Sequence, residues 1–82
     1  SHPVAKHEMV RRLTDGAPAH FNGQTVREVD TRDGVKYRMS DDSWLLIRPS
    51  GTEPVLRVYA EGPDHEAVDA LIQAGRGLAG ID

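Results

Sequence analysis

The sequence of 82 residues has no cysteine, few aromatic residues and no long hydrophobic run. Without cysteine, disulfides, thiolate nucleophiles and thiolate metal ligands are all excluded, which fits a reducing compartment. No apolar run approaches the roughly 20 residues that a membrane-spanning helix needs, and no signal peptide is visible. We therefore expect a cytoplasmic protein without a membrane partner, whose core is built mostly from valine, leucine, isoleucine and alanine.

The sequence also lacks a basic excess, because its formal net charge is -3 at pH 7. Proteins that bind nucleic acids gather a basic excess on one face, so we expect no nucleic-acid partner. A small anionic ligand stays open, since a few local cations bind it whatever the net charge. No metal site is expected either, because no two histidines stand at the spacing of metal ligands. The histidines are His2, His7, His20 and His65.

Two segments show the pattern of a helix. Residues 3–13 carry apolar side chains near helical spacing, and the pair Asp15-Gly16 predicts the end of this helix. Asp64 is suited to cap a closing helix that ends within residues 74–79. The spacing of a dinucleotide-binding fingerprint is matched by three glycines near this end: Gly75, Gly77 and Gly80. Because these glycines end a helix rather than open one after a strand, we predict a fraying helix terminus and no dinucleotide.

Between the helices, four segments are rich in β-branched and aromatic residues, which is typical of strands: residues 25–31, 34–39, 44–47 and 55–60. The pair Asp33-Gly34 is a strong signal for a hairpin turn, whereas residues 16–24 are predicted to form a loop. Four aspartates are interpreted as turn and solubility residues: Asp30, Asp33, Asp41 and Asp42. We predict one α+β domain over residues 1–82, with a four-stranded antiparallel sheet and two helices on one face.

Side chains in a strand alternate between the two faces of the sheet. One face of the last two strands is then aliphatic, with Leu45, Ile47, Leu56, Val58 and Ala60. The other face carries Trp44, Leu46, Arg48, Val55, Arg57 and Tyr59. The two arginines are therefore expected to share a face, and the exposed apolar surface around Trp44 and Tyr59 predicts a contact with other domains.

The loop between the last two predicted strands reads Arg-Pro-Ser-Gly-Thr-Glu-Pro and contains groups suited to a phosphate dianion. Its arginine, with a second arginine in the next strand, supplies planar forks of N–H donors that match phosphate oxygens. Its serine and threonine offer hydroxyl donors, and the glycine between them permits a turn whose amides point at one anion. The composition alone fits an ordinary hairpin loop equally well, and the second arginine equally fits a solvated or interdomain charge. The candidate phosphate ligands are Arg48, Ser50, Gly51, Thr52 and Arg57.

Residues 48–54, followed by Val-Leu-Arg-Val-Tyr-Ala-Glu, resemble the phosphate-binding signature of the last domain of the α-D-phosphohexomutases. This family comprises phosphoglucomutases, phosphomannomutases and phosphoglucosamine mutases. Seven contiguous residues match without interruption, and the layout of helices and strands is similar over most of the chain. The resemblance implies the TATA-box-binding-protein-like fold of that domain, an antiparallel sheet with two helices.

The resemblance also implies a function. Members of the family are enzymes of four domains that move a phosphoryl group between the 1- and 6-positions of a hexose. A phosphoserine in the first domain donates the phosphate with the help of Mg2+, and the bisphosphosugar intermediate then reorients. The last domain holds the non-reacting phosphate of the sugar and closes over the cleft. By resemblance, Arg48, Ser50, Gly51 and Thr52 correspond to the phosphate-contacting positions, and Arg57 matches less directly.

The chain departs from the family in two respects. It contains neither the catalytic serine motif nor the Asp-rich metal loop, so we expect no catalytic residue and no metal ligand in it. Mg2+ and phosphoryl transfer then belong to a full-length enzyme, and the isolated domain is expected to be inactive. Its expected partners are a hexose phosphate and the other domains of the same polypeptide.

The choice of sugar is the least specified feature. Tyr59 favours the phosphoglucomutase and phosphomannomutase branch over the phosphoglucosamine branch. The same domain of a phosphoglucosamine mutase is one alternative. A non-catalytic module that binds phosphate is another.

Overall fold

The computed structural model describes residues 3–21, 23–50 and 55–80 of the chain. The elements in chain order are α1 (Pro3–Asp15), β1 (His20–Phe21), β2 (Gln24–Asp30), β3 (Val35–Met39), β4 (Trp44–Pro49), β5 (Leu56–Glu61) and α2 (His65–Ala79). The strands form one antiparallel sheet in the order β1-β2-β3-β4-β5. The predicted α+β arrangement is confirmed, with element ends that differ from the predicted ones by one or two residues.

One face of the sheet forms the core. Its centre consists of side chains with no exposed surface: Val35, Tyr37, Met39, Leu45 and Ile47. Helix α1 packs on this face through Leu13, whose carbonyl oxygen accepts a 2.9 Å hydrogen bond from the Tyr37 hydroxyl. Helix α2 packs on the same face against β4 and β5. The prediction that both helices share one face is therefore confirmed.

The prediction of four strands is wrong, because residues 20 and 21 lie in a fifth strand rather than in a loop. This strand pairs with the start of β2, where His20 faces Thr25 and Phe21 faces Gln24. Phe21 is buried, and its ring centroid lies 5.2 Å from that of Tyr37. The strand forms because Phe21 packs on a distant aromatic residue, and two residues are too short to show a period in the sequence.

Helix α2 has a defined cap at each end. The Asp64 carboxylate accepts a 2.8 Å hydrogen bond from the Ala67 amide, which confirms the predicted N-cap. At the other end Gly80 adopts a left-handed conformation and donates its amide to carbonyls of the last turn. Gly75 and Gly77 lie inside this helix, so the prediction of a fraying terminus is wrong. Within the parts of the chain that the structure describes, no helix is long and apolar enough to cross a membrane.

Candidate functional site

The phosphate-binding candidates stand where β4 ends and β5 begins. Arg48 faces Arg57 across the two strands, and Pro49 faces Leu56. The Ser50 amide then donates a 2.9 Å hydrogen bond to the carbonyl of Val55, which closes the base of the loop. The strand pairing therefore determines where the loop leaves the sheet and where it returns.

The structure brings together only part of the predicted set of ligands. Arg48, Ser50 and Arg57 lie at the base of the loop, while Gly51 and Thr52 lie outside the described residues. Ser50 is buried, with 4% of its surface exposed. The Arg48 side chain is 42% exposed and accessible to a ligand. The roles of all five candidates in phosphate binding stay predictions.

Both arginines lie on the face of the sheet opposite the core, which we call the helix-free face. Its residues in the last three strands include Lys36, Trp44, Leu46, Arg48, Arg57 and Tyr59. The predicted assignment of the two arginines to one face is confirmed by their direct pairing across β4 and β5. Two cationic side chains therefore lie side by side next to the loop.

The two aromatic residues of the helix-free face differ in their contacts. The indole Nε1 of Trp44 donates a 3.1 Å hydrogen bond to Glu61, and the Lys36 ammonium lies 4.3 Å from the centroid of the indole ring. Tyr59 is 41% exposed, as expected for this face. The predicted contact of this surface with other domains stays a prediction.

The turn between β2 and β3 reaches the base of the loop between β4 and β5. An Asp33 carboxylate oxygen lies 3.5 Å from Nη1 of Arg48. The neighbouring Gly34 is buried and has a φ of 86°. A Cβ atom at Gly34 would lie 2.5 Å from the Ile47 carbonyl oxygen and 2.7 Å from Cβ of Arg48. Only a glycine fits this close approach of the turn to the end of β4.

The same turn is tied together by a second ion pair. The Asp30 carboxylate accepts hydrogen bonds from the Arg32 amide at 2.9 Å and from the Arg32 guanidinium at 2.6 Å. These bonds hold the pKa of Asp30 far below its ordinary value and raise the pKa of Arg32. An open depression of about 370 Å³ adjoins the turn on the helix-free face. Its lining is Asp30, Arg32, Asp33, Lys36, Arg38 and Leu46.

The depressed pKa of Asp30 predicts how stability depends on pH. The stabilisation of the fold by the ionised Asp30 carboxylate is fully present above the unfolded-state pKa of about 3.9. It is lost as the pH falls towards the lower folded-state pKa. We expect Asp30→Asn to lower the urea midpoint at pH 7, and this deficit to shrink at pH 3. The matched control is Asp69→Asn, an exposed carboxylate on α2. An equal deficit of Asp30→Asn at both pH values would contradict the prediction.

Sequence reasoning interpreted Asp33 as a turn residue and missed its contact with Arg48. The Asp-Gly pair predicted the turn correctly, but these residues are 15 positions apart in the chain. Only the register of β3 on β4, in which Val35 faces Ile47, brings the turn to the motif. The spacing of neighbouring residues in the sequence contains no information about such a contact between distant segments.

The described residues do not fit a metal site. Among them, no three side chains of His, Cys, Asp or Glu lie together in a way that could hold a metal ion.

Comparison with known proteins connects this geometry to a family. Residues 5–76 match the sequence profile of the family described as the phosphoglucomutase/phosphomannomutase C-terminal domain. Phosphopentomutase from Thermococcus kodakarensis is 41% identical over 68 residues, a match that covers 83% of this chain and 15% of that protein. The predicted resemblance is therefore confirmed at the level of the family.

The names of other relatives refer to different sugars. Probable phosphoglucosamine mutase from Methanosphaera stadtmanae is 52% identical over 46 residues, which cover 56% of this chain and 10% of that protein. Phosphoglucomutase/phosphomannomutase from Thermococcus kodakarensis is 40% identical over 48 residues, which cover 58% of this chain and 10% of that protein. The matches to these curated relatives span only 10–15% of their length.

Proposed function

Because the chain belongs to the phosphoglucomutase/phosphomannomutase C-terminal domain family, we propose that it anchors the sugar phosphate in a larger mutase. The relatives are several times longer than the matched region, which supports a polypeptide with further domains. In this proposal, those domains supply the phosphoserine and the Mg2+ site. The chain described here supplies recognition of the phosphate that does not react.

The observation that carries the proposal is the pairing of Arg48 and Arg57 at the base of the motif loop. Residues directly opposite each other in an antiparallel pair point to the same face, so both arginine side chains extend from the helix-free face beside the loop. Phosphate oxygens match guanidinium N–H donors in geometry and charge, and such charge-assisted hydrogen bonds are stronger than neutral ones. The loop adds the hydroxyls of Ser50 and Thr52 and the Gly51 amide in this proposal.

Anchoring a remote phosphate contributes to catalysis without any bond-breaking group in this chain. Binding energy from the non-reacting end of the sugar can orient the reacting end at a catalytic group elsewhere. Closure of this domain over the cleft would also exclude water from the transferred phosphoryl group. The intermediate must turn over before the second transfer, so the phosphate has to be released, and we expect moderate affinity. The isolated domain is expected to show no mutase activity.

For the sugar, we propose a hexose phosphate of the glucose or mannose type, which Tyr59 favoured at the level of sequence. A second candidate is an amino-sugar phosphate, because several relatives are named phosphoglucosamine mutases, including one that is 52% identical. Turnover of glucose 1-phosphate, mannose 1-phosphate and glucosamine 1-phosphate by the polypeptide that carries this domain distinguishes the two. No turnover of any of them would favour the alternative of a non-catalytic phosphate-binding module.

Substitution of Arg48 tests the anchoring role. In an NMR titration of the 82-residue chain with inorganic phosphate, we expect backbone amide shifts centred on residues 48–52. Arg48→Ala should weaken binding by about 10- to 100-fold, since a hydrogen bond to a charged group contributes about 1.5–3 kcal/mol. The dissociation constants come from the same titration.

Arg11→Ala is the matched control for this experiment. It removes the same charge from an exposed position on α1, which packs on the face of the sheet opposite Arg48 and Arg57. Phosphate affinity should change little in this variant. If both variants weaken binding equally, the effect is one of net charge, and the specific role of Arg48 is refuted. Shifts centred away from the loop would refute the site itself.

A further inference from the structure

We propose that Asp33 is a positioning residue that holds the Arg48 guanidinium in place beside Arg57 for phosphate binding. This inference rests on the proposed function of the loop and deepens it. It assigns a role to the turn between β2 and β3, which lies outside the motif in sequence.

The backbone of the turn places Asp33 in one position relative to β4. Gly34 packs so closely on the end of β4 that a Cβ atom there would lie 2.9 Å from Cα of Arg48. On the other side, the hydrogen bonds between Asp30 and Arg32 hold the start of the turn. Asp33 is therefore attached to a turn that is fixed at both of its ends.

The geometry of the ion pair leaves room for a ligand. The distance of 3.5 Å between Asp33 and Arg48 is longer than the 2.7–2.9 Å of a charge-assisted hydrogen bond. The carboxylate therefore attracts the guanidinium without saturating its donors. Both side chains are open to solvent, with exposed fractions of 72% for Asp33 and 42% for Arg48. A phosphate can approach the remaining side of the guanidinium while Asp33 still holds it.

The pairing of Arg48 with Arg57 shows why Arg48 needs such a partner. Two like charges directly opposite each other on neighbouring strands repel, and a long arginine side chain would otherwise turn away into solvent. Asp33 offsets this repulsion for Arg48 before the ligand arrives. A guanidinium that is already oriented loses less conformational entropy on binding.

The positioning role and simple electrostatic repulsion predict opposite changes in phosphate affinity when the Asp33 carboxylate is removed. Removing a carboxylate beside an anion site should tighten phosphate binding if repulsion is all that Asp33 contributes. If Asp33 positions Arg48, we expect Asp33→Asn to weaken phosphate binding by about three- to tenfold, the range for immobilising one flexible side chain. Asparagine is as suitable as aspartate for a turn, so the fold should persist.

The experiment is an NMR titration of the 82-residue chain with inorganic phosphate, using wild type, Asp33→Asn, Asp33→Glu and the control Asp69→Asn. The Arg48 Nε–Hε signal is followed before phosphate is added, because a merely structural role of Asp33 would leave it unchanged. We expect this signal to shift in Asp33→Asn and Asp33→Glu to recover part of the affinity. Asp69→Asn removes the same charge from α2 and should match wild type.

Two kinds of failure are distinguishable. If wild type binds phosphate at residues 48–52 but Asp33→Asn binds as tightly or more tightly, Asp33 does not position Arg48 and the anchoring function stands. If phosphate leaves the wild-type signals of the loop unchanged, the anchoring function is overturned, and the role of Asp33 with it.

Discussion

Replacement of Gly34 by alanine is expected to destabilise the domain by about 2–5 kcal/mol. Two effects add at this position. A residue with a Cβ atom in the left-handed region costs about 1–2 kcal/mol, and φ of Gly34 is 86°. The added methyl group would also overlap the Ile47 carbonyl oxygen at 2.5 Å, and overpacking costs about 1–3 kcal/mol. Urea unfolding followed by circular dichroism gives the free energy of unfolding.

Gly23→Ala is the matched control for this prediction. Gly23 has nearly the same φ, 82°, but a Cβ atom there would meet nothing within 4 Å. This variant should lose only the conformational part, about 1–2 kcal/mol. Equal losses in the two variants would show that the turn does not press against β4. The structural basis for placing Asp33 beside Arg48 would then be removed.

Replacement of Gly75 by leucine is expected to lower the free energy of unfolding by about 3 kcal/mol or more, because extra carbon atoms in a dense core force side chains off their rotamers and shift the backbone. Gly75 is buried where α2 crosses the sheet, and its Cβ atom would lie 2.6 Å from Cγ1 of Val58 and 2.8 Å from Cδ1 of Leu45. A leucine needs space for three further carbon atoms, so α2 must move away from β4 and β5. Urea unfolding measures the loss.

Gly77→Leu is the control in the same helix, two residues further on. A Cβ atom at Gly77 would meet nothing within 4 Å, and the residue is exposed. Leucine is more favourable than glycine inside a helix by about 1 kcal/mol or slightly less, so this variant should be slightly more stable than wild type. If Gly75→Leu is also neutral or stabilising, the close approach of α2 to the sheet is contradicted.

Variants of Gly75 and Gly34 should differ in their effect on phosphate affinity, although both lower stability. Gly75 acts in the core under α2, so a milder variant such as Gly75→Ala should leave the phosphate affinity of the folded fraction unchanged. Gly34 lies between the core and the motif, so Gly34→Ala should weaken phosphate binding in addition to lowering stability. The turn between β2 and β3 thus connects the packing of the core to the position of Arg48.

The sequence by itself was sufficient for features that depend on neighbouring residues. The alternation of β4 and β5, the Asp33-Gly34 turn and the Asp64 cap were all predicted correctly. So were the two helices on one face and the common face of Arg48 and Arg57. Each of these follows from a period of two, a helical period or a preference of one residue type, which are properties of a few adjacent positions.

Only the tertiary structure decided the features that join distant segments. The strand at His20 and Phe21 exists because Phe21 packs on Tyr37, and Gly75 stays inside a helix because α2 crosses the sheet there. The ion pair of Asp33 with Arg48 depends on the register of β3 on β4. Such contacts arise from close packing between elements far apart in the chain, and no local pattern in the sequence encodes their distances.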